Sequence, residues 1–451
     1  VGSTYAQSES NILNCLNKPL DFIRNHQPDF SMALFVAAAV IGVCSEALLP
    51  VMPGAEMWTL AKNLAATGTF ANPFVIHATG LTANNPPLYP FLLAVLIKLL
   101  RRPILVYGAS VLGSIFANAL TAVLLPRISR LLFDDAVPGF FASVLWLGAM
   151  QLIPGWDTNW TLAGLLFFCI FTISNFGAER NAARCTLLGG AIAGFLWLAN
   201  PASMLISLPW AVFLCWRQKI TWRRSFRLGA MFLAVFCVFV FFWCGRNYFQ
   251  LGGFVSRTNL GIALYASNND CAQSTLTQNL LTGCQPANHP SGSLREAVLL
   301  EKIGELPYDQ MRTADAKAWM RAHPQRFLEL TTARVLEFWF PAWIVIPPDV
   351  EFANKFDSPN YTQHWVGQQN RIACAFWAIT ALSLPGIFFM ARRREPVLLF
   401  VLVVMGIYPL MYYLIVSDVR YRYPMLWISL LPAGYFLREL MEWGLRKDLR
   451  H

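Results

Sequence analysis

The strongest constraint on this 451-residue chain is that its apolar residues come in runs. A helix crossing the ~30 Å hydrocarbon core of a bilayer needs roughly 20 mostly apolar residues. Eleven stretches approach that length: Phe30 to Leu49, Leu88 to Leu100, Ile104 to Leu125, Val137 to Ile153, Leu162 to Ile173, Leu187 to Ala199, Met204 to Trp216, Leu228 to Cys244, Ile372 to Ala391, Val397 to Val416 and Met425 to Leu437. A soluble fold of this size would need about a quarter of its residues charged, and only 13% are. The expected fold class is therefore all-α and polytopic, with about 10–12 transmembrane helices joined by a mixed, mainly helical external region.

Positive charge sets the orientation. The formal charge of +10 does not line one face as a nucleic-acid footprint would, so no nucleic-acid partner is expected. Many of the 35 Lys and Arg fall in four clusters between apolar runs: Lys98/Arg101/Arg102, Arg217/Lys219/Arg223/Arg224/Arg227, Arg392/Arg393/Arg394 and Arg438/Arg446/Lys447/Arg450. Cytoplasmic loops are enriched in such residues. Placing all four inside gives an inner N-terminal segment (1–29), a membrane module (30–245) with a first external loop (51–87), a large external region (246–371), C-terminal membrane helices (372–437) and an inner tail (438–451). The short segment Ser417 to Tyr423 is then external too. Two inner termini demand an even number of crossings, so one of the eleven stretches is not a full span. Pro154, Asn200 and Pro201 interrupt the pattern between Val137 and Trp216, which puts the exception there. Val335 to Ile346 carries Arg334, Glu337 and Pro341 and reads as an interfacial helix. The first ten residues contain no initiator Met and no apolar run, and read as an appended remnant.

The external segments carry the chemistry. In the first, Met57, Leu60, Ala61 and Leu64 share one helical face while Glu56, Thr59, Lys62 and Asn63 share the other, which predicts an amphipathic surface helix ending near Gly68. Glu56 is the loop's acidic residue: a cap for the helix dipole, or a base or metal ligand. The loop ends in Asn84-Asn85-Pro86-Pro87-Leu88-Tyr89-Pro90, where consecutive prolines stiffen the approach to the next span. The second segment opens on Arg246-Asn247-Tyr248 and runs through Thr258-Asn259-Leu260-Gly261 to Tyr265-Ala266-Ser267-Asn268-Asn269, a composition suited to a hydroxylated or phosphorylated ligand or to an ordinary loop. A helix is expected over Tyr308 to Ala322, closed by His323-Pro324. Most of the ten cysteines lie within apolar runs; Cys271 and Cys284 both fall in the large external segment and are expected to form a disulfide in an oxidising compartment. Arg420 and Arg422, in Ser417-Asp418-Val419-Arg420-Tyr421-Arg422-Tyr423-Pro424, oppose the positive-inside bias. They either snorkel to headgroups or clamp an anionic lipid phosphate or pyrophosphate.

Taken in order, the acidic amphipathic loop, Pro86 to Pro90, Arg246 to Asn269, Ala322-His323-Pro324-Gln325-Arg326-Phe327 before Phe338-Trp339, and Arg420-Tyr421-Arg422-Tyr423-Pro424 resemble the GT-C superfamily of membrane glycosyltransferases. The specific likeness is to the family-39-like branch, which contains protein O-mannosyltransferases and the lipid A aminoarabinose transferase. The resemblance covers nearly the whole chain. It implies transfer of a monosaccharide from a polyprenyl-phosphate donor lipid to a glycan, lipid or protein acceptor, by a multi-pass plasma-membrane enzyme (the inner membrane of a bacterium) whose active site faces the periplasm or exterior. The family's loop carboxylate, base or metal holder, falls on Glu56. That family places Asp or Asp-Glu three or four residues before an aromatic, whereas here Pro53 or Gly54 stands there, so Asp157 is the second choice. Donor phosphate would fall to Arg420, Arg422 and Arg246, and the sugar and acceptor pocket to Asn84, Asn85, Tyr89, Asn259, Tyr265, Asn268 and Asn269. No cofactor is expected to be required; a divalent cation, Mg or Mn, is the alternative. Two rivals remain: a lipid-linked glycan ligase or polymerase, and a secondary transporter, which should show internal repeats and ionisable groups deep in its spans.

Overall fold

The computed structural model describes residues 27–48, 55–153, 155–176, 182–345 and 359–448. The N-terminal segment, through residue 26, lies outside them, as do Pro53, Gly54 and Pro154. Among the described residues the architecture is helical, and β-pairing is confined to isolated bridges, Ala71 with Leu81 and Thr275 with Ser417. The first half comprises α1 (Gln27–Leu48), α2 (Ala55–Thr67), α3 (Leu88–Leu100), α4 (Pro103–Phe133), α5 (Val137–Ala149), α6 (Thr158–Asn175), α7 (Ala182–Ala199), α8 (Met204–Arg217) and α9 (Trp222–Leu251). The region expected to be external holds α10 (Leu260–Ser267), α11 (Leu276–Leu281), α12 (Cys284–Asn288), α13 (Leu294–Ile303), α14 (Glu305–Ala322) and α15 (Pro324–Trp339). The chain closes with α16 (Pro359–Arg392), α17 (Leu398–Ile407) and α18 (Tyr423–Asp448).

Among the described residues five helices are long and apolar enough to cross a membrane: α4, α6, α7, α9 and Trp365–Arg392 of α16. Phe30–Ser45, Leu88–Leu100, Val137–Ala149 and Leu398–Met411 are apolar but shorter. At ~1.5 Å per residue a helix the length of α3 or α5 covers about 20 Å, two thirds of the hydrocarbon core. Such helices need neighbours to shelter their ends, and they have them: α3 lies against α2 and α4, and α5 against α4 and α18. The last apolar run becomes the central element. Met425, Leu426, Trp427, Ile428 and Leu430 of α18 are completely buried, as expected of a helix that is apolar all round. Gly434 makes the α5 contact possible, since a Cβ there would stand 1.9 Å from the Pro138 carbonyl.

The first loop and the external region form one layer. α2 ends where Gly68 takes φ 73° and its N–H bonds the Leu64 carbonyl at 3.0 Å. Met57, Leu60 and Ala61 are buried, the face that the helical period predicts. Phe74 of this loop packs with Ile262, Leu300 and Tyr308 from α10, α13 and α14. α10 sits close on α14 because Gly261 has no side chain, and the Asp309 carboxylate accepts the Gly261 N–H at 2.7 Å. Cys271 and Cys284 are joined in a disulfide.

The interfacial helix expected over Val335 to Ile346 is placed differently. Its residues up to Trp339 are the end of α15, which begins at Pro324, and the chain leaves helical geometry ahead of Pro341. Proline lacks the N–H that would continue the ladder.

Candidate active site

The return of the first loop is fastened from four sides. Arg246 donates to the carbonyls of Thr82 at 2.7 Å and Phe70 at 3.2 Å. Arg257 donates through Nε to the Asn84 carbonyl at 2.9 Å. The Thr258 N–H bonds the Ala83 carbonyl at 3.3 Å, and the buried Glu305 carboxylate accepts both the Ala83 N–H at 2.7 Å and the Thr258 hydroxyl. Burial pushes the Glu305 carboxyl above the usual range, against the hydrogen bonds from Thr258 and Thr82. So held, Asn84 and Asn85 each direct Nδ2 toward Glu56 Oε2 at 3.4 Å. The Oδ1 atoms of both asparagines are buried with no hydrogen-bond donor.

Asp157 comes to the same place from the end of the α5–α6 connection. It is buried, and Oδ2 accepts from Thr161 at 3.0 Å and from Asn200 at 2.9 Å. Burial raises its pKa, opposed by those two bonds and by the charge of Arg257. Tyr89 lies within electrostatic reach of Asp157 and packs with Met57, while Trp156 borders the same cluster. The Arg420 guanidinium stands 4.4 Å from the Trp156 ring centre and pairs with Asp418 at 3.2 Å. Burial acts against its charge, but Asp418, Tyr421 and Glu56 outweigh that and hold its pKa above the ordinary value. Arg257 responds oppositely: burial lowers its pKa although Asp157 and Glu56 both act to raise it. Tyr412 and Tyr421 stack at 4.8 Å and border Arg257.

The expected site residues thus divide. Glu56, Asn84, Asn85, Tyr89, Asp157 and Arg420 gather in one cluster. Arg422 is buried elsewhere, its guanidinium 4.9 Å from the Trp339 ring and 5.0 Å from Phe376, with Nη1 on the Trp339 carbonyl at 3.1 Å. Burial lowers its pKa to about 9. Arg246 is occupied with the loop backbone. Tyr265 lies under the Arg312 guanidinium at 4.1 Å. Asn268 donates to the carbonyls of Leu264 and Leu414, both at 2.9 Å, and accepts from Arg334 at 3.0 Å. Asn269 bonds the Tyr265 carbonyl at 2.8 Å, and Asn259 is half-buried at the start of α10. Among the described residues no hydrogen bond joins these four to Glu56, Asp157, Arg257 or Arg420. Sequence reasoning passed over Arg257. The positive-inside bias that singles out Arg420 in a short segment does not single out Arg257, which stands in the long segment 246–371 among many other basic residues.

No protein-family model matches this sequence, and no curated protein matches it. Solved structures do. The crystal structure of the Archaeoglobus fulgidus oligosaccharyltransferase in complex with Zn and sulfate matches with a TM-score of 0.52 at 12% identity, over 91% of this chain and 49% of that one. The apo form gives 0.50 at 12% identity, over 91% and 50%. The form tethered by a disulfide to an acceptor peptide containing the NVT sequon gives 0.50 at 13% identity, over 91% and 50%. The chain has the GT-C oligosaccharyltransferase fold. It spans about half the length of the solved chains it matches. At this identity the likeness carries the fold, and the family-39-like branch stays an expectation.

A divalent cation would need several hard oxygen ligands converging at about 2.0–2.6 Å. The described part of this cluster presents two carboxylates, Glu56 and Asp157, beside the open Oδ1 atoms of Asn84 and Asn85. Among the described residues no group of three His, Cys, Asp or Glu side chains comes together. Oδ2 of Asp157 is taken by Asn200 and Thr161, Asn84 and Asn85 turn nitrogen toward Glu56, and Arg257 and Arg420 already supply positive charge.

Proposed function

We propose that this chain is a membrane glycosyltransferase that moves a monosaccharide from a polyprenyl-phosphate donor to a hydroxyl acceptor on the external face, with inversion. The observation that carries the reading is one carboxylate, Glu56, which among the described residues accepts two long contacts and lies in the field of two guanidinium groups, Arg257 and Arg420. Glycosyl transfer from a lipid phosphate needs that pairing. The acceptor oxygen attacks the anomeric carbon, its proton passes to Glu56, the bond from that carbon to the phosphate oxygen breaks, and the phosphate leaves with the added negative charge. Arg420 and Arg257 receive it, and Arg246 holds the backbone of the first loop, while Arg422 stands apart on the Trp339 carbonyl. The buried, unpartnered Oδ1 atoms of Asn84 and Asn85 suit acceptor or sugar hydroxyls. Asp157, whose carboxylate accepts from Asn200 and Thr161, adds negative charge that faces Arg257. In this reading the first loop (51–87) and the external region (246–371) make the periplasmic face of a plasma-membrane, here inner-membrane, enzyme.

The test is transfer in proteoliposomes against a panel of polyprenyl-phosphate sugars with radiolabelled sugar. Turnover with at least one monophosphate donor is expected. Consumption of a pyrophosphate-linked glycan alone would make the chain a ligase or polymerase instead. Because guanidinium groups carry the charge, a chelator is expected to leave turnover unchanged; loss restored by Mg or Mn would overturn that assignment.

A further inference from the structure

At the end of the bundle remote from Glu56, helices α6, α7, α8 and α9 leave a cavity of about 390 Å³ between them. From Asp157 to Thr172, which lines it, α6 rises about 22 Å at ~1.5 Å per residue. The cavity therefore lies in the opposite half of the bilayer from the reaction centre. Its wall is apolar, with Phe168, Leu208, Leu228 and Phe232 among the lining residues. Both threonine hydroxyls are already used, Thr172 accepting from the Trp210 indole at 2.8 Å and donating to the Phe168 carbonyl at 2.7 Å and Thr186 donating to the Ala182 carbonyl at 2.7 Å, and the third hydroxyl, Ser225 at the rim, reaches the Ile220 carbonyl at 3.5 Å. Apolar cavities with satisfied walls stay dry and take apolar ligands.

What lies at the rim says which ligand. Ser225, Leu228 and Gly229, in the first turns of α9, line the cavity, and the basic residues Arg217 at the end of α8, Lys219 in the turn, and Arg223, Arg224 and Arg227 in the first turns of α9 surround that junction. Lys219, Arg223 and Arg227 are exposed, and Trp222 beside them is 74% exposed. An apolar slot whose mouth meets a basic junction at membrane depth matches a chain and a phosphate joined in one molecule. We infer that an anionic phospholipid of the leaflet remote from the reaction centre docks here, one acyl chain in the cavity and its phosphate on the 217–227 junction. The site is separate from the proposed donor site and takes a different lipid.

Gly229 provides the test, because a Cβ there would meet nothing within 4 Å, so a larger side chain fills the space. The purified full chain is compared by native mass spectrometry with phosphatidylglycerol and phosphatidylcholine of identical acyl chains. The wild type is expected to retain phosphatidylglycerol at least tenfold more strongly. Gly229→Leu removes that retention. The combined Lys219→Gln, Arg223→Gln and Arg227→Gln variant weakens it by about fivefold per residue and leaves phosphatidylcholine unaffected. Gly229→Ala, with a smaller loss, and the charge variant carry the test if Gly229→Leu fails to fold. Equal retention of both lipids by the wild type, undiminished phosphatidylglycerol in the variants, or its displacement by polyprenyl phosphate at the same stoichiometry overturns the inference.

Discussion

Replacing Glu56 by Gln separates a chemical role from a structural one. The carboxylate accepts two hydrogen bonds at 3.4 Å, the long limit of such contacts, and is half-buried in the first turn of α2. Its structural worth is therefore chiefly its charge at a helix N-terminus, about 0.3–1 kcal/mol. Gln keeps the shape and an acceptor oxygen for Asn84 and Asn85. Loss of a positioned base costs far more, about 10²–10⁴ in rate, or about 2.7–5.5 kcal/mol of barrier. Glu56→Gln should thus lower kcat by two to four orders of magnitude, shift thermal unfolding by only a few degrees and leave donor-lipid affinity within about threefold. The assay is single-turnover transfer of labelled sugar in proteoliposomes, with donor binding and thermal unfolding measured on the same preparation. Turnover within tenfold of wild type would refute the assignment. So would a rate loss matched by unfolding, because Glu56 would then be acting through the loop.

The arginines should separate as well: Arg257→Ala and Arg420→Ala weaken donor-lipid binding at least tenfold in a titration, whereas Arg422→Ala lowers thermal stability and leaves the affinity of the surviving folded protein unchanged. Glu305 sets a pH dependence whose sign follows from its raised pKa. Its contribution to stability is complete below the ordinary carboxylate range and is lost as pH rises through the folded value, so Glu305→Gln should match wild type in thermal unfolding near pH 4 and exceed it near pH 8; parallel curves would count against a strained ionised carboxylate. Reducing the Cys271–Cys284 bridge, which closes a loop of 13 residues' separation, should cost up to about 3 kcal/mol in local stability of the α11–α12 segment, read by hydrogen exchange, and unchanged protection on adding reductant would contradict this.

Local pattern in the sequence determined a good deal. Apolar runs and scarce charge require a helical membrane protein, because only helices and closed barrels satisfy their backbone in lipid. The i, i+3, i+4 spacing of Met57, Leu60, Ala61 and Leu64 specified α2, its buried face and its end at Gly68, and it put Glu56 on the other side. Compartment logic paired Cys271 with Cys284. These readings succeed because each depends on residues a few positions apart or on one solvent boundary. What the tertiary structure alone decided is partner choice. Arg420 and Arg422 are two residues apart and equally anomalous by topology, yet one meets Trp156 and Asp418 while the other sinks among Trp339 and Phe376. Asn268 and Asn269 look like ligand residues in the sequence and serve as ties for α10, whereas Arg257, unremarked there, lies within electrostatic reach of both Asp157 and Glu56. Charge statistics report which side of a membrane a residue occupies. Which side chain faces which depends on contacts between segments more than a hundred residues apart, such as Arg257 with Asn84 and Arg246 with Thr82, and no local period encodes those.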